Sequence, residues 1–227
     1  MALTLVFLPS PLLGPSVWRP VAEAVEDRGL HSVIASVPAG VQTSEDVLDA
    51  FLEASPADRD LAVVPHSNAG AFVPALVERR AVVATVFVDA ILPPPHGSVP
   101  LAPPSFLAIL RTKAEADGLL PPWTSWWAEE VVAELFPDAA TRSAVEREQQ
   151  QLPLSYFEMA MPAPRGWDQR SGAYLALGDT YTDERDDAVR RGWPTNTLRG
   201  GHLHQLHDPE SVADTIVALL GQAIREH

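Results

Sequence analysis

Residues 61–70 read Leu61-Ala62-Val63-Val64-Pro65-His66-Ser67-Asn68-Ala69-Gly70. Four apolar residues, two of them β-branched, predict a buried strand. Small and polar residues follow, and then Ala71-Phe72-Val73-Pro74-Ala75-Leu76-Val77 sets apolar residues at helical spacing. A serine therefore stands at the turn between a strand and a helix. Such a sharp turn lifts a hydroxyl above the sheet edge, and the helix N-terminus behind it favours negative charge on a reacting oxygen. The common form of this turn is G-x-S-x-G. Here Pro65 and Ala69 hold the glycine positions, with Gly70 one place later. Alanine is small enough where strand and helix crowd together, and the fixed φ of proline suits the end of a strand. The alternative for the same residues is a serine that caps a helix after a strand.

Outward from this turn, strands and helices alternate. Residues 3–8 are a nearly continuous apolar run, as in a strand covered on both faces. Met1 and Ala2 are read as its start, because the segment has no positive charge and runs into Pro9, unlike a secretory leader. Ser16 is placed to cap a helix through Trp18, Val21, Ala22 and Val25, ended by Gly29. A strand over 31–37 stops at Pro38, and a helix over 44–54, capped by Ser44, turns Val47, Leu48, Phe51 and Leu52 inward. After the serine strand come a helix over about 70–79 and an apolar strand over 82–88 closed by Asp89. This short-spaced β-α-β-α-β-α-β pattern predicts an α/β fold, a mostly parallel sheet with helices on both faces. No G-x-G-x-x-G follows the first strand, so neither a dinucleotide nor any other cofactor is expected.

Beyond Ala90 the pattern changes. Pro93-Pro94-Pro95, Pro100, Pro103-Pro104 and Pro121-Pro122 break the chain, with helices predicted at 105–116, 124–135 and 138–150 and no strand between them. Residues 92–168 thus read as a helical cap inserted within a single domain spanning 1–227. Trp123, Trp126 and Trp127 cluster there. They pack cap on core, and one or two of them line a substrate pocket. The α/β pattern resumes with a strand over 173–177 ending at Gly178-Asp179, a helix over 182–191, a strand over 195–198, the loop Gly200-Gly201-His202 and an amphipathic helix over 209–224.

Composition narrows the partners. With 46% apolar and 20% charged residues, the 227-residue chain can bury a sizeable core. A net charge of −14 opposes nucleic acid and anionic membrane surfaces, which leaves a small-molecule substrate as the expected partner. The lack of cysteine excludes a disulfide framework, a thiol nucleophile and a thiolate metal site. No apolar run approaches the ~18 residues of a membrane span, and the expected location is cytoplasmic. Oligomeric state leaves no signature. His202-Leu203-His204-Gln205-Leu206-His207-Asp208 approaches an H-x-H-x-D-H metal signature, but its spacing is off by one and no further cluster supports it, so no metal is expected.

Ser67, the aspartates Asp89 and Asp179, and His202 all fall at the C-terminal ends of predicted strands, where open α/β sheets bind ligands. A serine hydroxyl is a weak nucleophile. It needs a histidine to take its proton and a buried carboxylate to orient that histidine. Over essentially its whole length the chain resembles the α/β-hydrolase fold family. The pieces that carry the resemblance are the first strand with its loop and Trp18, the turn around Ser67, Phe87-Val88-Asp89-Ala90, and Gly200-Gly201-His202 followed by Asp208-Pro209-Glu210-Ser211-Val212-Ala213. The chain order Ser, Asp, His also matches.

The resemblance implies Ser67 as nucleophile, His202 as general base and a cap that shapes the substrate site. It places the acid after the strand that follows the cap. That selects Asp179 in Gly178-Asp179-Thr180-Tyr181, although this turn is shorter than the usual G-x-x-D. Members with the acid one strand earlier point instead to Asp89, whose other reading is a strand-end residue bonding loop amides. Asp183 ranks third, because it fits better as a first-turn charge of a helix. The oxyanion donors implied are the backbone N–H of Asn68 and that of Ser10 or Leu12, since Pro9 and Pro11 have none. The implied activity is hydrolysis of an ester or thioester of a small hydrophobic substrate through an acyl-enzyme. The prolines of the oxyanion loop keep open a lyase or cyclase that uses the same Ser and His for proton transfer.

Overall fold

The computed structural model describes residues 3–225, so the reading of Met1 and Ala2 as strand lies outside the described residues. In chain order the strands are β1 (Thr4–Leu8), β2 (His31–Ile34), β3 (Leu61–Ser67), β4 (Val82–Ala90), β5 (Gly97–Pro100), β6 (Ala160–Ala163), β7 (Ser171–Ala176) and β8 (Thr195–Thr197). Six of them form one sheet in the order β2-β1-β3-β4-β7-β8, and every neighbouring pair is parallel. All residues of β1, β3 and β7 are buried, which is what a parallel sheet covered on both faces requires of its central strands.

The order explains where the helices go. The chain steps from β1 out to β2, then reverses across β1 to β3 and continues in that direction to β8. Right-handed crossovers place the helices before and after such a reversal on opposite faces. Accordingly Arg19–Asp27 packs with Pro209–Arg225, while Ser44–Ala54 packs with Val73–Arg79. Phe51 and Phe72 meet edge to face, with ring centroids 5.4 Å apart, in this second group.

Two predicted caps move. Thr43, not Ser44, caps Ser44–Ala54: its hydroxyl accepts from Asp46 N–H at 3.2 Å, and the Asp46 carboxylate accepts from Thr43 N–H at 2.9 Å. This reciprocal box needs an acid three places after the cap, and only Thr43 has one, because Val47 stands three after Ser44. Ser16 sits inside a 3-10 turn, Pro15–Val17, where its hydroxyl accepts from Arg19 Nη1 at 2.6 Å, and Trp18 precedes the helix instead.

Between β4 and β7 lie the helices Pro104–Lys113, Glu129–Glu134, Ala139–Glu148 and Leu154–Phe157. The helix predicted over 124–135 is divided into a 3-10 turn, Trp123–Trp126, and Glu129–Glu134. The expectation of no strand in this segment fails, because β5 and β6 pair there antiparallel. Each is four residues long, contains a proline and keeps at least two residues exposed or half-exposed, so no apolar run announces it. No helix among the described residues is long and apolar enough to cross a membrane.

Candidate active site

β3 ends on Ser67, whose φ of 58° and ψ of −127° are strained for a residue with a side chain, and the 3-10 turn Asn68–Phe72 starts at once. Among the described residues only Ser67 and Asp89, of the non-glycines, have positive φ. Strain of this kind costs roughly 1–3 kcal/mol per residue and persists where surrounding structure enforces it. Ile91 N–H enforces it here by donating to the Ser67 carbonyl at 3.0 Å. The turn also presses Gly70 onto the chain just beyond β4: a Cβ at 70 would lie 2.0 Å from the Ile91 carbonyl oxygen. The glycine that this turn demands is therefore Gly70.

The neighbouring strand deforms in step. His66 pairs with Val88 but Ser67 pairs with Ala90, so Asp89 is the extra residue of a bulge. A bulge beside a site re-aims a side chain. Its geometry is held from β7, where the Tyr174 hydroxyl accepts from Ala90 N–H at 3.1 Å and donates to the Ala90 carbonyl at 2.8 Å. The fully buried Asp89 carboxylate accepts from Leu177 N–H at 3.2 Å and lies 2.6 Å from His202 Nδ1. Burial alone would raise its pKa. The hydrogen bond from the His202 ring, that ring's charge and the Leu177 amide outweigh burial, and the carboxyl is held below the usual range.

With Nδ1 on Asp89, the other ring nitrogen of His202 makes no hydrogen bond among the described residues, and the side chain is 12% exposed. The His66 ring stacks on it at 4.5 Å, and His66 Nε2–H donates to the His202 carbonyl at 2.9 Å. A neutral imidazole suffices for that bond. Burial first, then the nearby His202 ring, push the pKa of His66 down to about 3.

Ser67 and His202 both line a cavity of about 660 Å³, together with Leu12, Trp123, Trp126 and Trp127. Ser67 Oγ does not bond to His202. Among the described residues its one partner is the Tyr181 hydroxyl, at 3.2 Å. Asn68, at the first position of the helical turn, has its side chain fixed at both ends. Its amide nitrogen donates to Leu101 O at 2.7 Å, and its carbonyl accepts from the buried Tyr156 hydroxyl at 2.6 Å. Of the two candidates in the first loop, Leu12 lines the cavity, whereas Ser10 is buried with its carbonyl taken by Leu13 N–H at 2.9 Å.

The expectation favouring Asp179 as the partner of His202 does not match the geometry. Asp179 is exposed and its carboxylate makes no hydrogen bond among the described residues; only its carbonyl accepts, from the Thr182 hydroxyl. The loop after β7 sends Tyr181 toward Ser67 instead. Asp183 is exposed on the first turn of the helix Thr182–Arg190, although it too reaches the cavity wall. Trp123 and Trp126 are buried, Trp127 is 40% exposed, and all three line the cavity. His204 and His207 stack on each other at 6.4 Å, and no group of three or more His, Asp or Glu able to hold a metal occurs among the described residues. Sequence reasoning missed Tyr181 and Tyr156. For Tyr181 one signal was present, its place shortly after the end of β7, the neighbour of the strand that carries Asp89.

No protein-family model matches the chain, and no curated protein matches it. Solved structures do. An extracellular α/β-hydrolase from a Paenibacillus species, described as sharing structural and functional homology with tobacco salicylic acid binding protein 2, is 17% identical, covers 96% of this chain and 98% of its own, and has a TM-score of 0.71. A pyrethroid hydrolase from Sphingobium faniae JZ-2 is 16% identical over 100% of both chains, with a TM-score of 0.71. A variant of tomato methylketone synthase I, complexed with β-ketoheptanoate, is 12% identical over 98% of both chains, with a TM-score of 0.74. Strand order, the strained turn at Ser67 and these whole-length likenesses agree, and the chain is an α/β-hydrolase-fold protein.

Proposed function

We propose that the chain is a serine hydrolase that cleaves an ester or thioester of a small hydrophobic substrate through an acyl-enzyme on Ser67. The observation that carries this reading is the 2.6 Å contact between His202 Nδ1 and the buried Asp89 carboxylate, beside a cavity that also exposes Ser67. Asp89 fixes the ring so that Nε2 is the free base. As Ser67 Oγ bonds to the substrate carbonyl carbon, its proton passes to Nε2 and the π pair moves to the carbonyl oxygen. Asn68 N–H, at a helical N-terminus, is the first donor for that oxygen, and the loop residue Leu12 supplies the second. The imidazolium then protonates the leaving group, and water repeats the sequence to release the acid. The aromatic and aliphatic wall around Trp123, Trp126 and Phe157 favours an apolar acyl or alcohol portion.

A fluorophosphonate probe tests this reading. Labelling at Ser67 in the folded protein is the expected result; a folded protein that never labels there overturns it. A second reading, a lyase or cyclase using the same groups for proton transfer, is favoured by the resting contact of Ser67 with Tyr181 rather than His202. A labelled Ser67 with no turnover across a panel of p-nitrophenyl esters would select it.

A further inference from the structure

We propose that Tyr181 is a further catalytic residue, donating a hydrogen bond to Ser67 Oγ that stabilises this oxygen as its proton leaves for His202. The inference rests on the serine-nucleophile reading above and concerns a residue which that reading leaves unused. The Tyr181 hydroxyl lies 3.2 Å from Ser67 Oγ, is the one hydrogen-bond partner of that atom among the described residues, and belongs to the cavity wall. Its ring also leans on His202, with centroids 5.8 Å apart. One phenol thus touches both members of the proton transfer.

The direction of the bond follows from chemistry. A phenol is the better donor of the two hydroxyls, being the more acidic. If Tyr181 donates, the Ser67 proton is free to turn toward His202 Nε2, where it is needed. If Ser67 donated, the proton would point away from the base. Burial, more than any other influence on Tyr181, holds its pKa above the ordinary phenol value, and the nearby Asp89 charge acts the same way, so the phenol stays protonated at neutral pH. Tyr181 is therefore a fixed donor and not a second base. During attack the balance is simple. Oγ bonds to the carbonyl carbon, the serine proton goes to Nε2, the π pair goes to the carbonyl oxygen, and the Tyr181 proton stays where it is. A donor already in place beside an oxygen gaining charge lowers the barrier without reorganisation.

The loop origin of Tyr181 strengthens the assignment. It follows β7, the strand end at which the Asp179 carboxylate is exposed and idle. That loop thus serves the site through a hydroxyl.

The test is Tyr181→Phe, which keeps the ring and removes one oxygen. It is measured on the full chain with p-nitrophenyl acetate and a fluorophosphonate, with a thermal melt as a check of folding. Expected are a roughly 10- to 100-fold fall in kcat/KM and in the labelling rate, with KM nearly unchanged and the pH–rate profile keeping its shape. A variant as fast as the native protein, or one that raises KM alone, overturns the proposal while leaving the hydrolase reading intact. Loss of one limb of the pH profile overturns it in favour of Tyr181 as a titrating base. A native protein that neither labels nor turns over overturns both.

Discussion

Two neighbouring strands, β4 and β7, each have an aspartate near their C-terminal end, Asp89 within β4 and Asp179 three residues beyond β7, and the two differ in burial and in hydrogen-bond partners. Asp89 is the bulged residue of β4, at φ 42°, fully buried, with an amide donor and an imidazole on its oxygens. The next residue, Ala90, is held through both its N–H and its carbonyl by one hydroxyl, that of Tyr174 on the adjacent strand. Asp179 follows the extended end of β7, exposed, with no donor to its carboxylate among the described residues. A position at the tip of a strand is thus insufficient. To hold an imidazole a carboxylate also needs shelter and preplaced donors, and here the donors, Leu177 and His202, come from the chain beyond β7 and beyond β8 and not from the strand that carries Asp89.

The largest expected effect tests that contrast directly. Asp89→Asn removes the charge that orients His202 and should lower kcat/KM by roughly 10³- to 10⁴-fold in ester hydrolysis assays. A loss under tenfold would break the comparison. Next in size is Gly70→Ala, which forces a methyl onto Ile91, two residues beyond Asp89. The three nearest contacts of that methyl are all backbone atoms of Ile91, so the strand end must shift. A loss of about 2–3 kcal/mol in denaturant unfolding is expected, and an unchanged midpoint would show that the two segments are not in register as described.

A smaller effect is read through pH. His66 has its pKa pushed down to about 3, against about 6.5 for an unfolded histidine. As pH falls, the unfolded chain takes up this proton first. The stability at stake is therefore complete above about pH 6.5 and is lost toward pH 3, at about 1.4 kcal/mol per pH unit. His66→Gln keeps an amide donor for the His202 carbonyl and carries no titrating ring, so its unfolding free energy should fall less steeply between pH 6 and 4 than that of the native protein, by up to about this slope. Equal slopes would place the charge balance of the site elsewhere. The smallest effect completes the comparison: Asp179→Asn should leave kcat/KM within about twofold, as expected for an exposed group without partners.

The sheet was legible in the sequence because central strands buried on both faces need unbroken apolar runs, and 3–8, 61–64 and 82–88 supply them. Ser67 was legible through its position just past such a run, and His202 through the Gly200-Gly201 loop that precedes it. For the partner of His202 the sequence left two candidates, Asp179 and Asp89, because bulges arise from register between two chain segments, and register is invisible in a single stretch of residues. The same holds for Gly70, whose need becomes plain only when Ile91 is seen against it. β5 and β6 escaped because a two-stranded ribbon with Pro100 and Pro162 has no periodic apolar face to read. Tyr181 escaped for a chemical reason: tyrosines after strands are common, and only coordinates separate one that reaches a serine from one that packs.

The side-chain amide of Asn68 carries a mechanical consequence. It is clamped at 2.7 and 2.6 Å to Leu101 and Tyr156, both in the chain between β4 and β7. One side chain thus fastens that segment to the residue after Ser67. Trp127 and Val131, 40% and 51% exposed, mark the opposite rim of the same cavity. The cavity that Ser67 lines therefore reaches the surface beside an indole.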